Sequence, residues 1–222
     1  MKTILLTSFE AFGNTPVNPA EKVAEVLEGQ QIEGARVFSR VIPNTFFRCI
    51  DVVRDAIAEL QPDIVIMMGE YGGRSMITVE RIAQNLNDSA RYQLLDNAGR
   101  SMQDTLTVPG GPVAYYSTLP LRAMVKAMRD GGIPADISDV AGTFCCNHLM
   151  YGILHHVAVN DLPISAGWIH LPHLPEVAAL DYNLGEPSMS AATAAEGVRI
   201  AIAAVVTHPV DTKDTIVSHL QI

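Results

Sequence analysis

Short apolar runs alternate with stretches of helical spacing along most of this 222-residue chain, and that alternation is what most narrows its fold. Strand-like runs are KTILLTSF (2–9), RVFSRVIP (36–43), DIVIMMG (63–69), MITVERIAQN (76–85), ADISDVAG (135–142) and ISAGWIHLP (164–172). Between them the apolar residues recur every three or four positions, as at Phe46, Ile50, Val53 and Ile57 in NTFFRCIDVVRDAIAEL (44–60). Helices are likewise predicted for NPAEKVAEVLEG (18–29), STLPLRAMVKAMRDGG (117–132), CCNHLMYGILHHVAV (145–159) and an Ala-rich stretch over about 187–208. The first of these carries start and stop signals: Asn18 as N-cap, Pro19 at the first helical position, Glu21 three residues after the cap and Gly29 near the end. Strand and helix in alternation imply an α/β fold, a mostly parallel sheet with helices on both faces, and a site beyond the carboxyl ends of the strands. No repeat or linker divides the chain, so one domain over 1–222 is expected. The long irregular stretch, 85–112, is a candidate flap or subunit contact.

Composition narrows the function classes. A formal net charge of −9 argues against a partner held by phosphate contacts, so no nucleic acid is expected. Charges and histidines interrupt the apolar stretches well short of about 20 residues, so no membrane span is expected either. The opening MKTILLTSFEAFG lacks a small-residue cleavage site and reads as a first strand rather than a secretory signal. Three cysteines, two of them vicinal, suit reduced thiols and a cytoplasmic protein.

Chemistry is suggested first by AGTFCCNHLMYG (141–152), where two thiols follow a strand and a small-residue turn at the start of a helix. With Thr143 as N-cap, Cys145 and Cys146 fall in the first turn, whose free N–H groups and dipole favour a thiolate and could hold an oxyanion. Position alone barely separates the two cysteines, and both could simply fill space under the helix. A cysteine nucleophile needs a base and a group to orient it. Of seven histidines, His170 stands at the end of an apolar strand; His173, past Pro172, is expected in solvent, and His148, His155 and His156 are expected to pack or face water. Alternation places Thr78, Glu80 and Ile82 on one strand face, so Glu80 is either the third group or one half of an ion pair with Arg74, Arg81 or Arg91. His170, His173, Glu176 and Asp181 are possible metal ligands, though their spacing fits no helical His-Glu-x-x-His pattern.

Four segments together resemble the type I pyroglutamyl peptidases, also called pyrrolidone-carboxylate peptidases. SFEAFGNTPVNPA is similar to their GFEPFGG motif and the NP that follows, and GGRSMITVERIAQN to their GGR-x-x-I-x-x-ER-x-A-x-N segment. GPVAYYSTLPLRAMVKAMRDGGIPADISDVAGTFCCNHLMYGILHH tracks a stretch usually ending AGTYVCN-x-x-MYG-x-LH, and GWIHLPHLPE resembles G-F-I-H-x-P-x-LPE. The resemblance runs in order from residue 3 to about 180. It implies a three-layer α/β sandwich and an exopeptidase that removes an N-terminal pyroglutamyl residue, with peptides bearing that residue as substrates. It implies no metal or other cofactor, and a homodimer or homotetramer.

Residue by residue, the resemblance assigns the nucleophile to Cys146, next to Asn147, and leaves Cys145 at a position usually held by valine. It assigns the base to His170 and the acid to Glu80. Phe9 and Phe12 match the two phenylalanines that sandwich the lactam ring. Glu70 stands where the family has Gln in GQAGGR, and Tyr71 where it has Ala; Ser8 and Ala11 replace the usual Gly and Pro. An amide donates and accepts whereas a carboxylate only accepts, so Glu70 bears on substrate preference. DSARYQLLDN is longer than the family's DARIPDN, and Arg91 matches the family's arginine, a possible oxyanion partner, only to within a residue. Two other readings are a lactam-binding protein without turnover and a metal-dependent hydrolase built around His170.

Overall fold

The structure is a computed structural model that describes residues 1–219. Its strands are β1 (Lys2–Phe9), β2 (Gln31–Ile32), β3 (Ala35–Ile42), β4 (Ile64–Glu70), β5 (Ile77–Glu80), β6 (Ile82–Gln84), β7 (Ala114–Tyr116), β8 (Ala135–Ser138) and β9 (Ser165–Leu171). Its α-helices are α1 (Pro19–Leu27), α2 (Arg48–Leu60), α3 (Leu121–Asp130), α4 (Cys145–Val159), α5 (Pro175–Ala178) and α6 (Ala191–Thr207). Seven strands form one sheet in the order β2-β3-β1-β4-β9-β5-β8, while β6 and β7 pair separately. The pairs β3–β1, β1–β4, β4–β9 and β5–β8 are parallel; β5 runs antiparallel to β9, and β2 to β3, so the sheet is mostly parallel but mixed.

Alternation along each strand sends side chains to two cores. Ile4 and Leu6 of β1, Ile66 and Met68 of β4 and Ile169 of β9 pack with Val23 of α1, Met124 of α3 and Val198 of α6. On the opposite face Leu5, Val65, Met67 and Trp168 pack with Val53 of α2 and Leu149 and Ile153 of α4. At roughly 1.5–3 kcal/mol for each large apolar side chain removed from water, these two cores are the main force holding the helices against the sheet. Among the described residues no helix is long and apolar enough to cross a membrane.

Several expectations change once the chain is folded. The single strand expected over 76–85 divides at Arg81, whose N–H donates to Ser138 O (2.8 Å) and whose carbonyl accepts from Ser117 N (2.9 Å). Thr78 and Glu80 therefore stay in the large sheet, while Ile82 leaves with β6. The Ala-rich helix starts at Ala191 rather than near 187, with Ser190 Oγ accepting from Thr193 N. The N-cap of α4 is Phe144, in extended conformation, and not Thr143, whose hydroxyl donates to Asp88 O (3.0 Å). The irregular stretch 85–112 holds a short 3-10 turn at Ala90–Tyr92 and is stapled by side chains: Asn85 bonds Val108 in both directions (2.8 and 3.0 Å), and Asp96 accepts from Phe46, Ala98 and Arg100 N–H groups.

Candidate active site

The site forms where α4 begins against the sheet. Asn147 is fully buried and anchors this start: its Oδ1 accepts from Gln84 N (2.9 Å) and its Nδ2 donates to Gln84 O (2.9 Å) and Leu86 O (3.0 Å). One residue on, His148 Nε2 accepts from Phe47 N (2.9 Å). With both neighbours clamped, the first turn of α4 is held in place, and the two cysteines separate by direction alone. Cys145 is sealed in the α2/α4 core, whereas Cys146 lines a cavity of about 380 Å³. A Cβ at Gly69 would lie 3.2 Å from Cys146 Sγ and 2.8 Å from the Trp168 ring, so glycine at the end of β4 is what makes room for the sulfur.

His170 shares the cavity with Cys146. Register explains its partner: β9 pairs with β5 so that His170 stands opposite Thr78 and Trp168 opposite Glu80, all four side chains facing α4. His170 Nδ1 lies 2.7 Å from Glu80 Oε1, with both side chains almost wholly buried. Arg74 settles which cation accompanies Glu80: its Nη1 donates to the same oxygen at 2.8 Å and to Thr78 Oγ1. Arg81 instead pairs with Asp139. His170 Nε2 is buried with no hydrogen-bond partner among the described residues, so it is not bonded to Cys146.

The charges follow from burial. Desolvation favours the neutral thiol and pushes Cys146 well above its ordinary range, with the Glu80 charge adding to the rise; Cys145 is raised for the same first reason. A thiolate preformed at the helix start, as the sequence suggests, is thus not the resting state. Desolvation also holds His170 below the ordinary imidazole value, against the opposing pull of Glu80 and with help from Arg74. Burial works to raise Glu80, but the His170 and Arg74 interactions outweigh it and keep the carboxyl low. The resting set is therefore neutral thiol, neutral imidazole and carboxylate.

Other predicted residues divide. Phe12 lines the cavity with its ring centroid 5.9 Å from that of Phe144, but Phe9 turns into the core, 5.6 Å from Trp168, and lines no part of it. The phenylalanine walls are thus Phe12 and Phe144, the latter not singled out in the sequence because it sits at the α4 cap. Arg91 is exposed, its guanidinium 5.0 Å from the ring of Tyr92; Tyr92 and Leu94 line the cavity in its stead. Glu70 and Tyr71 both line it. His173 is not in solvent: it is buried and bonds Glu70 Oε1 through Nδ1 at 2.7 Å. Among the described residues no group of three or more His, Cys, Asp or Glu side chains is arranged to hold a metal. A larger cavity of about 690 Å³, against the polar sides of α2 and α4, contains no cysteine.

Comparison with known proteins identifies the family. A family model described as pyroglutamyl peptidase matches residues 2–208. The pyrrolidone-carboxylate peptidase of Mycobacterium tuberculosis (strain H37Rv) is 59% identical over 222 residues, covering 100% of both chains. That of Bacillus thuringiensis subsp. konkukian is 43% identical over 95% of this chain and 96% of its own. Among solved structures, Bacillus amyloliquefaciens pyroglutamyl peptidase I superposes with a TM-score of 0.91 at 36% identity, covering 96% of this chain and 100% of that one. Pyrrolidone carboxyl peptidase of Pyrococcus furiosus gives 0.88 at 40% identity, over 94% and 100%. On sequence, fold and coverage together, the chain belongs to the pyroglutamyl peptidase family.

Proposed function

We propose that Cys146 is the nucleophile, His170 the general base and acid, and Glu80 the group that orients the imidazole, in a cysteine-type hydrolase that removes N-terminal pyroglutamyl residues from peptides. The observation that carries the assignment is the state of His170: Nδ1 is committed to Glu80, and Nε2 is left buried and unpartnered beside the cavity that Cys146 lines. With Nδ1–H donated to the carboxylate, Nε2 is the acceptor nitrogen, as a base requires.

The reaction follows. The Cys146 thiol gives its proton to His170 Nε2 as sulfur attacks the carbonyl carbon between pyroglutamate and the next residue. Burial makes an isolated thiolate costly, so proton transfer and attack are coupled, and the Glu80 carboxylate stabilises the imidazolium that forms. N–H groups in the first turn of α4 receive the oxyanion. Arg91, exposed with its guanidinium over the Tyr92 ring, does not line the cavity, and the reading assigns it no role in this step. Collapse of the tetrahedral intermediate breaks the C–N bond, and His170 passes its proton to the departing amine. Water, deprotonated by His170, then hydrolyses the thioester and releases pyroglutamate. Phe12 and Phe144 suit the flat faces of the lactam ring, and Glu70 suits its polar edge. A homodimer or homotetramer and a cytoplasmic location belong to the same reading.

The test is release of a chromophore from a pyroglutamyl amide, with prolyl and glutaminyl amides beside it. Turnover of the pyroglutamyl amide alone, abolished by iodoacetamide, is expected. Cys146→Ser is expected to lower kcat/KM by roughly 10³-fold or more, while Cys145→Ser stays within about threefold of the parent. Saturable lactam binding without turnover would favour a binding protein; activity lost with Cys145→Ser and kept with Cys146→Ser would reverse the assignment.

A further inference from the structure

A second buried titratable cluster borders the same cavity. His173 Nδ1 lies 2.7 Å from Glu70 Oε1, and Nε2 lies 2.9 Å from Glu186 Oε2. Glu70 is 2% exposed in its side chain and His173 10%, whereas Glu186, at 41%, reaches solvent. A neutral imidazole has a single N–H and ionised carboxylates only accept, so this chain of three groups must hold one extra proton, on the ring or on a carboxyl. Backbone contacts fix both ends of the bridge. Tyr71 N–H donates to Leu171 O (2.9 Å), extending the β4–β9 pairing past Glu70, and Met189 N–H donates to His173 O (2.9 Å). Gly72 leaves the ring its place: a Cβ there would collide with His173 Nε2 and lie 2.7 Å from Cε1.

The lactam edge sets a problem that this bridge solves. It presents an N–H donor beside a C=O acceptor, and an ionised carboxylate would accept from the first while repelling the second. We propose that His173 is a positioning residue and a determinant of lactam specificity: braced by Glu186, it holds Glu70 Oε1 and shares a proton with it, so that the carboxyl accepts from the lactam N–H without turning a full negative charge on the neighbouring C=O. The inference rests on the reading of the cavity as the pyroglutamyl site. Burial raises the Glu70 carboxyl, against the pull of His173 and Thr15, and the Glu186 charge adds to the rise, which favours keeping the shared proton in the bridge. Other titratable groups on the cavity are Tyr71, Tyr92, Cys146 and His170, and Arg74 stacks on Tyr71; none hydrogen-bonds to His173 among the described residues.

The experiment measures KM and kcat for a pyroglutamyl amide from pH 5 to 9. It uses the parent, His173→Phe, Glu186→Gln and the double variant Glu70→Gln/His173→Phe. His173→Phe is expected to raise KM about tenfold with kcat within about threefold, the size of one charge-assisted hydrogen bond lost from uniform binding. The double variant is expected to recover KM to within about threefold of the parent, because an amide needs no shared proton. KM of the parent is expected to rise toward alkaline pH as the shared proton is lost, and because removing the Glu186 charge weakens the hold on that proton, this rise should begin at lower pH in Glu186→Gln. An unchanged KM in His173→Phe, a double variant no better than the single one, or a Glu186→Gln profile that overlays the parent would overturn the proposal. Glu186 is at the surface, so its variant reads the bridge even if His173→Phe does not fold. Calorimetric titration with free pyroglutamate reads the same affinities without turnover, which separates failure of the bridge from failure of the catalytic assignment.

Discussion

Cys145 and Cys146 are adjacent in one helical turn, yet one is sealed in the core and the other faces the cavity. A step of one residue, about 100° around the helix, makes that difference. Both were visible in the sequence as first-turn thiols, but burial keeps Cys146 protonated at rest, which a helix-dipole argument alone does not foresee. The cation paired with Glu80 is Arg74 rather than Arg91, and its effect on His170 can be tested. Burial holds the His170 imidazole below its ordinary value of 6.5, Glu80 pulls it up, and Arg74 pushes it down. The basic form of His170 is therefore kept to more acid pH than in a free imidazole, and the acid limb of kcat/KM is expected below 6.5. Arg74→Gln leaves the Glu80 charge uncompensated, so this limb should move to higher pH. A pH–rate profile with the limb unmoved, or moved toward acid, would show that Arg74 does not tune the base.

At the scale of elements, α4 is the piece whose placement matters most, and its range, 145–159, was legible from apolar spacing and the preceding turn. What holds its start was not. Thr143 looks like a cap by residue type, but the anchors are Asn147 on β6 and the following residues, and His148 on Phe47. Asn147→Ala removes three hydrogen bonds and strands the Gln84 N–H and two carbonyls. It is expected to cost about 3 kcal/mol in unfolding free energy by urea titration and to lower kcat by displacing the first turn. A loss below about 1 kcal/mol with full activity would mean that core packing alone seats the helix. The division of 76–85 into β5 and β6 escaped sequence reading for a related reason. Alternation continues unbroken through Arg81, and only competing partners at Ser138 and Ser117 end the strand.

Across the whole molecule, His148 joins parts far apart in sequence. Nε2 accepts from Phe47 N, and Nδ1 lies 3.1 Å from both Thr107 Oγ1 and Asn87 Oδ1. Protonating Nε2 would set one N–H against another in a dry interior, and burial holds this histidine down at about 4. The folded value is depressed relative to about 6.5 in the unfolded chain, so the unfolded state binds the proton more readily. The contribution is complete above pH 6.5 and is lost progressively as pH falls toward 4, by up to about 3 kcal/mol at 1.36 kcal/mol per unit. Urea titrations should show the penalty of His148→Gln largest above pH 6.5 and shrinking toward 4; a constant penalty would assign its effect to packing alone. Periodicity and turn chemistry are properties of neighbouring residues, so the sequence by itself determined the long central strands, most of the helices and the place of the thiols at a helix start, but not the short strands β2 and β7 or the break between β5 and β6. Strand order and register were decided only by the tertiary structure. Running β5 antiparallel to β9 sets Glu80 and Arg74 beside His170, and the joined ends of β4 and β9 set Glu70 beside His173. The reason is physical: a hydrogen bond between residues ninety positions apart depends on which edges pair and in what phase, and no local pattern in the chain encodes that.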